Sequence, residues 1–397
     1  MSAEKSNLPL SLTVNPRLEQ WLKFEADETV RVATGKVEIG QGVVTALSQI
    51  AAEELDLPLD QIVMLSGDSD EGPDERYTSS SLSIMVSGAS IRLICAEARA
   101  LLLARAALRL NCSAGQLSVE DGRILVDGAA SEISYWSVAP EVDWSQAATG
   151  EVAPKAPAEY RIVGQSIPRQ DLLAKLVGGA YIHDRIPEDV VHARMLRQPG
   201  RDAVLRTLDE AAVRHAAGGE IEIFKQADFV AFLGADEAVV EAAAAAAAEH
   251  AQWDKAPNIE PIQQEAAWLR GQPSDDRQYG AEEDLEAPGE IVEATFSRPY
   301  IAHASLAPSC ALAQFTDGRL TLWSHGQGMH PLRRNIAEVL QLPIEAISAK
   351  HLNGPGCYGH NGADDVTLDA AIIAMNRPGR CIRLQWRREG EVGFEPF

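Results

Sequence analysis

The sequence predicts an α+β chain of more than one domain, and three observations carry that prediction. At three separate places an apolar, strand-like segment runs into a glycine-rich turn and then into a segment of helical period. An alanine run behind a good N-cap marks a helix in the middle of the chain. Stretches rich in proline and glycine, without sustained period, separate the patterned parts. The 397 residues leave room for two or three domains, and 46% apolar with 23% charged residues is an ordinary globular composition.

The first unit is expected over residues 1–155. Residues 29–34 alternate like a strand and lead through G-K-V-E-I-G-Q-G into a helix starting at Val43. There Val43, Leu47, Ile50 and Ala51 share an apolar face, Thr45, Gln49 and Glu53 lie opposite, and Glu54 interrupts the apolar side. Gln41, between two glycines, sits on bare backbone with its amide free to donate and accept. A strand at 61–66 precedes the acidic loop G-D-S-D-E-G-P-D-E-R-Y. Five hydroxyls then fall between Thr78 and Ser83, more than one N-cap requires, at the mouth of an apolar helix expected from Ile84 to Leu108 and buried on most sides. Residues 117–127 read as a hairpin about Asp121-Gly122, and 139–158 as a connector.

The second unit, 156–275, opens with the extended Y-R-I-V-G-Q-S-I-P-R-Q-D. Strands are expected at 176–182, 190–196 and 221–232, and the run E-A-A-A-A-A-A-A-E-H follows the N-cap Asp236 as a structural helix. Residues 254–290 read as a long linker. In the third unit, 276–397, an Asp317-Gly318 turn leads to a strand, the second Gly-Gln-Gly at 326–328, and a helix with Pro331 in its first turn. A further strand breaks at G-P-G-C-Y-G-H-N-G, and an Ala-rich helical pattern starts at Ala363.

A net charge of −23 argues against nucleic acid or an anionic membrane as partner. The start M-S-A-E-K-S-N has no basic or apolar leader pattern, and nowhere do eighteen apolar residues run together, so a cytoplasmic location without a membrane span is expected. Five scattered cysteines without C-x-x-C predict neither a structural zinc site nor an iron–sulfur cluster on this chain. Gly354-x-Gly356-x-x-Gly359 has the spacing of a dinucleotide fingerprint. However, Gly379 and Arg380 stand where a ribose-binding acid belongs, and Asp364 and Asp365 would repel a pyrophosphate. His303, His325, His330 and His360 fit no metal-ligand spacing, and polar packing is expected for each. Glu38 is weighed as a general base and set aside, because on a strand its side chain alternates away from Ile39.

G-K-V-E-I-G-Q-G, the hydroxyl row before V-S-G, Y-R-I-V-G-Q-S-I-P-R-Q-D, R-P-Y-I-A-H-A-S-L-A-P-S-C and G-P-G-C-Y-G-H-N-G-A-D-D occur in this order over essentially the whole chain. Together they resemble the molybdopterin-binding subunit of the xanthine dehydrogenase and aldehyde oxidase family, nearest to the nicotinate dehydrogenase and isoquinoline 1-oxidoreductase large subunits. The resemblance implies a multidomain large-subunit fold with a hammerhead-like domain over the second unit. It also implies a molybdopterin cofactor, usually the cytosine dinucleotide form, whose dithiolene holds molybdenum without a protein ligand. Carried over by motif, Ile39, Gly40, Gln41, Ser80, Ser81 and Ser83 would contact the cofactor. Gln327 would lie near an oxo ligand, and Gly356, Cys357 and Tyr358 would line the loop beside the metal, Tyr358-Gly359 standing where the family has Phe-Gly.

The activity so implied is hydroxylation of a nitrogen heteroaromatic ring, or oxidation of an aldehyde, with water as oxygen source and electrons leaving through a separate [2Fe-2S] subunit. The family's catalytic Gly-x-Gly-Glu segment does not follow in this sequence. A large subunit divided between two polypeptides is therefore expected, the second molybdopterin-binding chain supplying the glutamate. The competing expectations are a truncated, non-catalytic scaffold chain and a dinucleotide enzyme using Gly354 to Gly359.

Overall fold

A computed structural model describes residues 8–200, 202–255, 261–277, 279, 290, 292–362 and 365–394. The first unit is built on a small sheet in which Val30–Thr34 pairs antiparallel with Leu22–Phe24 and parallel with Ile62–Ser66. The parallel crossover is the helix Val43–Leu55, whose Val43, Leu47, Ala51 and Leu55 are buried in one core with Ile91, Ile94 and Leu102 of the helix Ala89–Leu110. The expected hairpin is present as Leu117–Glu120 and Arg123–Val126, with Asp121 and Gly122 both left-handed (φ 49° and 74°), the turn type that matches strand twist.

The remaining large sheet has seven strands in the order Ile347–His351, Arg319–Ser324, Cys310–Thr316, Cys381–Gln385, Val190–Leu196, Phe229–Gly234 and Glu222–Gln226. It joins strands on both sides of residue 275. Two neighbouring pairs are parallel: Arg319–Ser324 with Ile347–His351, and Cys381–Gln385 with Val190–Leu196. Asp236 caps the alanine-rich helix Glu237–His250 by accepting from the N–H groups of Ala238 and Val239. This helix also carries Glu237, which binds the buried Arg194 and Arg383 at 2.7 Å each. Burial by itself would raise the Glu237 carboxyl, but the two guanidiniums override it and hold the pKa at about 2.

Five expectations change. Residues 176–182 are not a strand: Leu172–Val177 is a short helix, ended by Gly178 and Gly179 at positive φ, Leu173, Leu176 and Val177 are more than 70% exposed, and the expected strand is reduced to one parallel bridge between Tyr181 and Asn353. The long helix opens with a π-helical turn at Ser83–Gly88, a geometry concentrated at functional sites, and Ile84 and Met85 there face solvent, as does Leu108 near its other end. The strand expected at 221–232 is two antiparallel strands, Glu222–Gln226 and Phe229–Gly234, and Glu53, placed by periodicity opposite the apolar face, is 2% exposed. In the expected linker, Ala266–Arg270 forms one helical turn, while 256–260, 278, 280–289 and Asp364 lie outside the described residues.

The acidic loop after Ile62–Ser66 is the joint between the first and third units. Asp68 meets Lys350 at 3.2 Å, Asp70 meets Arg319 at 2.7 Å, and Asp74 meets Arg334. Backbone joins in as well, with Ser69 N–H donating to Ala349 O at 2.9 Å and His351 N–H to Gly67 O at 2.8 Å. No described helix is long and apolar enough to cross a membrane.

Candidate functional site

Arg319–Ser324 and Ile347–His351 run parallel, so the loops at their carboxyl ends leave the sheet side by side. These loops are Gly326-Gln327-Gly328 and the glycine loop 354–362. Leu352 N–H donates to Ser324 O at 2.9 Å, and Gln327 N–H to Asn361 O at 2.9 Å. The first unit is laced to the same place: Thr78 N–H donates to Gln327 O at 2.8 Å, and Gln327 Nε2 returns a bond to Thr78 O at 2.9 Å. Thr78 Oγ1 accepts from Val37 N–H at 2.8 Å, and His351 Nε2 donates to Glu38 O at 3.0 Å. Thus the segments 36–42, 77–83, 326–328 and 351–362 share one hydrogen-bonded floor.

Within it, Gln327 is buried and its Oε1 has no hydrogen-bond partner among the described residues; nor has the buried Asn361 Oδ1, on the backbone it touches. Two orphaned acceptors side by side are costly unless a donor-bearing ligand or ordered water meets them. Ser80 and Ser81 lie at the rim, exposed and consecutively left-handed (φ 54° and 59°), with Ser83 half-buried behind them. Strained serines whose hydroxyls have no bond among the described residues are consistent with a binding edge. Of the five hydroxyls, Thr78 is committed to structure.

Ile39 is half-buried and Gly40 and Gln41 are exposed. Gly40 has φ 111° and open space where a Cβ would project. Gln41 folds back on its own loop, accepting from Ile39 N–H at 2.7 Å and donating to Val37 O at 3.0 Å, so its amide meets a ligand only by swinging outward. In the glycine loop Cys357 is buried, and Gly356 and Gly359 have positive φ (111° and 107°). Tyr358, at φ 58°, is 68% exposed. The helix beyond is Asp365–Met375, and Ala363, where the helical pattern is expected to start, lies outside the described residues.

Beneath the loop lie histidines. His325 Nε2 accepts from Cys310 N–H at 3.1 Å, and His183 Nε2 donates to Pro308 O at 2.8 Å, with their rings 6.3 Å apart. Burial pushes His325 down to a pKa of about 3 and His351 to about 4, so both are neutral. Gly354 packs on the His325 ring, where a Cβ would fall 2.7 Å from Nδ1. Gly354→Ala is therefore expected to destabilise the chain by about 2 kcal/mol through overpacking, read as a lower urea midpoint at unchanged slope.

Glu38 has a structural duty. It is buried, and its carboxylate accepts from Gly40 N–H and Gly42 N–H at 2.9 Å each and from Val44 N–H at 3.3 Å, capping the helix Val43–Leu55 from inside its own loop. Arg169, whose Nη1 donates to Gly40 O at 2.9 Å, and Asn361 are the residues that sequence reasoning missed. The Arg-x-Asp spacing of Arg169 and Asp171 is a signal that could have found the first; the second carries none.

A bound pterin presents ring N–H and carbonyl groups and a phosphate. The orphaned Gln327 and Asn361 acceptors, the serine edge and the unobstructed Gly40 backbone fit such a group. Models of the molybdopterin cofactor-binding domain match residues 4–168 and 268–394. The chain is 33% identical to a nicotinate dehydrogenase subunit of Pseudomonas putida, over 98% of this chain and 34% of that protein. It is 24% identical to the beta subunit of isoquinoline 1-oxidoreductase from Brevundimonas diminuta, over 98% of this chain and 56% of that protein. It thus spans from about one third to just over one half of the length of these relatives. A solved structure of quinoline 2-oxidoreductase from Pseudomonas putida 86 matches with 19% identity and a TM-score of 0.44, over 57% of this chain and 35% of that one.

Proposed function

Since the chain belongs to the molybdopterin-binding subunits of the xanthine dehydrogenase family, we propose that it forms one part of a molybdenum hydroxylase. Its substrate is a nitrogen heteroaromatic ring, in keeping with the names of these relatives, or an aldehyde. The observation that carries this reading is Gln327, buried at the meeting of three loops with an amide oxygen that nothing in the described chain satisfies. When bound, molybdopterin supplies the redox centre for oxidising the substrate with water as oxygen source.

The share of this chain is binding and exclusion of water. Ile39, Gly40 and Gln41 offer backbone and amide groups at one edge of the cofactor, and Ser80, Ser81 and Ser83 offer hydroxyls at another. Gln327 holds the centre. Gly356, Cys357 and Tyr358 close the side next to the metal, with the Tyr358 ring packed on Gly356, where a Cβ would fall 2.8 Å from its hydroxyl. A second molybdopterin-binding chain provides the general-base glutamate, a [2Fe-2S] subunit carries electrons away, and the cofactor is the cytosine dinucleotide form. The assembly works in the cytoplasm.

The test is to purify the tagged chain from its native host and determine molybdenum, iron and copurifying polypeptides on one sample. Molybdenum and iron together with a second large chain are expected. A lone, metal-free polypeptide from cells that make molybdenum cofactor would overturn the reading.

A further inference from the structure

The strap between the first and second units, residues 155–171, lies along the helix Val43–Leu55 and is bound by that helix's polar stripe. Glu53 accepts from the N–H groups of Arg161, Ile162 and Val163 at 2.8, 2.6 and 3.0 Å. Gln49 Nε2 donates to Ile162 O at 3.1 Å, and Thr45 Oγ1 accepts from Gln170 N–H at 3.0 Å. Thr45, Gln49 and Glu53 are four residues apart and so form one line along the helix.

At the far end of the strap Arg169 reaches the loop that precedes the helix. Its Nη1 donates to Gly40 O at 2.9 Å, and its Nη2 lies 3.3 Å from Glu38 Oε1, the oxygen that also receives Gly40 N–H and Gly42 N–H. The guanidinium is aimed by Asp171, which it meets at 2.9 and 2.7 Å, and Asp171 is held in turn by Lys175 at 2.5 Å. Bonding to Arg169, more than the partner Lys175, keeps the Asp171 carboxyl at a pKa of about 2. Gly42, at φ 78°, faces the Arg169 side chain. The loop is thereby gripped on both sides of Gly40, by its own carboxylate from within and by the strap from outside, while Gln41 stays on the exposed side.

We propose that Arg169 is a positioning residue: from the strap it clamps Gly40-Gln41-Gly42 in the form that receives the cofactor, so that Gln41 can swing out to the ligand without the loop collapsing. The clamp rests on the reading of that loop as a cofactor contact. A charge-assisted hydrogen bond of this kind is worth a factor of about 10 or more in a local equilibrium. The strap remains tied by Glu53, Gln49 and Thr45 when Arg169 is changed, so the predicted loosening is local.

The experiment compares Arg169→Gln with the parent in the full chain. Hydrogen exchange is measured by peptide without cofactor, and pterin is measured, as its fluorescent oxidation product, on protein purified from a host that makes the cofactor. Exchange across residues 38–46 is expected to accelerate about 10-fold or more. The helix Ala89–Leu110 should keep its protection, and bound pterin should fall several-fold. Arg169→Lys retains a charge but not the fork that spans Gly40 O, Glu38 and Asp171, and is expected between the two; it also serves if the glutamine variant fails to fold. Unchanged exchange across 38–46 overturns the clamp, and so does a loosened loop with undiminished pterin. A parent chain without pterin whose loop still loosens on substitution upholds the mechanical clamp and counts against the molybdopterin reading instead.

Discussion

Lowering the pH from 7 to 5 is expected to destabilise the chain by about 2 kcal/mol through His325 alone. Burial holds its pKa at about 3, whereas in the unfolded chain it titrates near the ordinary histidine value of 6.5. Between those values the unfolded state carries a proton that the folded state lacks. Stability is therefore complete above pH 6.5 and falls as the pH drops toward 3. His351, at about 4, and the lowered His183, His192 and His330 act in the same direction. The depressed carboxylates Glu53, Asp74 and Asp171 add their own loss only at lower pH, as the medium falls through and below their unfolded values. Urea midpoints at pH 7, 6 and 5 measure the slope, and His325→Asn should remove about one proton from it. An unaltered slope in that variant would show that His325 is not the group responsible.

Replacing Glu53 by alanine is expected to cost about 3 kcal/mol. Its carboxylate receives three consecutive strap N–H groups and lies 3.5 Å from Lys155, and it is almost wholly inaccessible. Burial by itself would raise its pKa, but the N–H groups of Ile162, Val163 and Arg161, together with Lys155, reverse that and hold it ionised. Alanine leaves those donors without an acceptor and empties the space beneath the strap. Glutamine keeps an acceptor oxygen without the charge and should lose roughly half as much. Thermal unfolding reports the stability change. Limited proteolysis within 160–171 reports release of the strap, and resistance equal to that of the parent would refute the docking role.

Much of the chain was legible as sequence because local rules decide it. The Asp121-Gly122 and Asp317-Gly318 turns, the helix Glu237–His250 behind Asp236, and the strand–turn–helix order around both Gly-Gln-Gly segments follow from φ preferences, capping and period, which act over a few residues. The order of the motifs likewise carried the family. What the sequence left open depends on partners distant along the chain. Periodicity puts Thr45, Gln49 and Glu53 opposite the apolar face but is silent on whether water or backbone meets them; the strap, more than a hundred residues away, covers them. A strand is expected at 176–182, but only Tyr181 finds a partner there, in a single bridge with Asn353, and the start of the segment closes the helix Leu172–Val177. Glu38 looked like a spare acid until the fold turned it onto Gly40, Gly42 and Val44. Composition and pattern determine which segments form and which side of each is apolar, whereas the choice of acceptor for a polar group is a contest among all groups in reach, and only tertiary packing sets that reach.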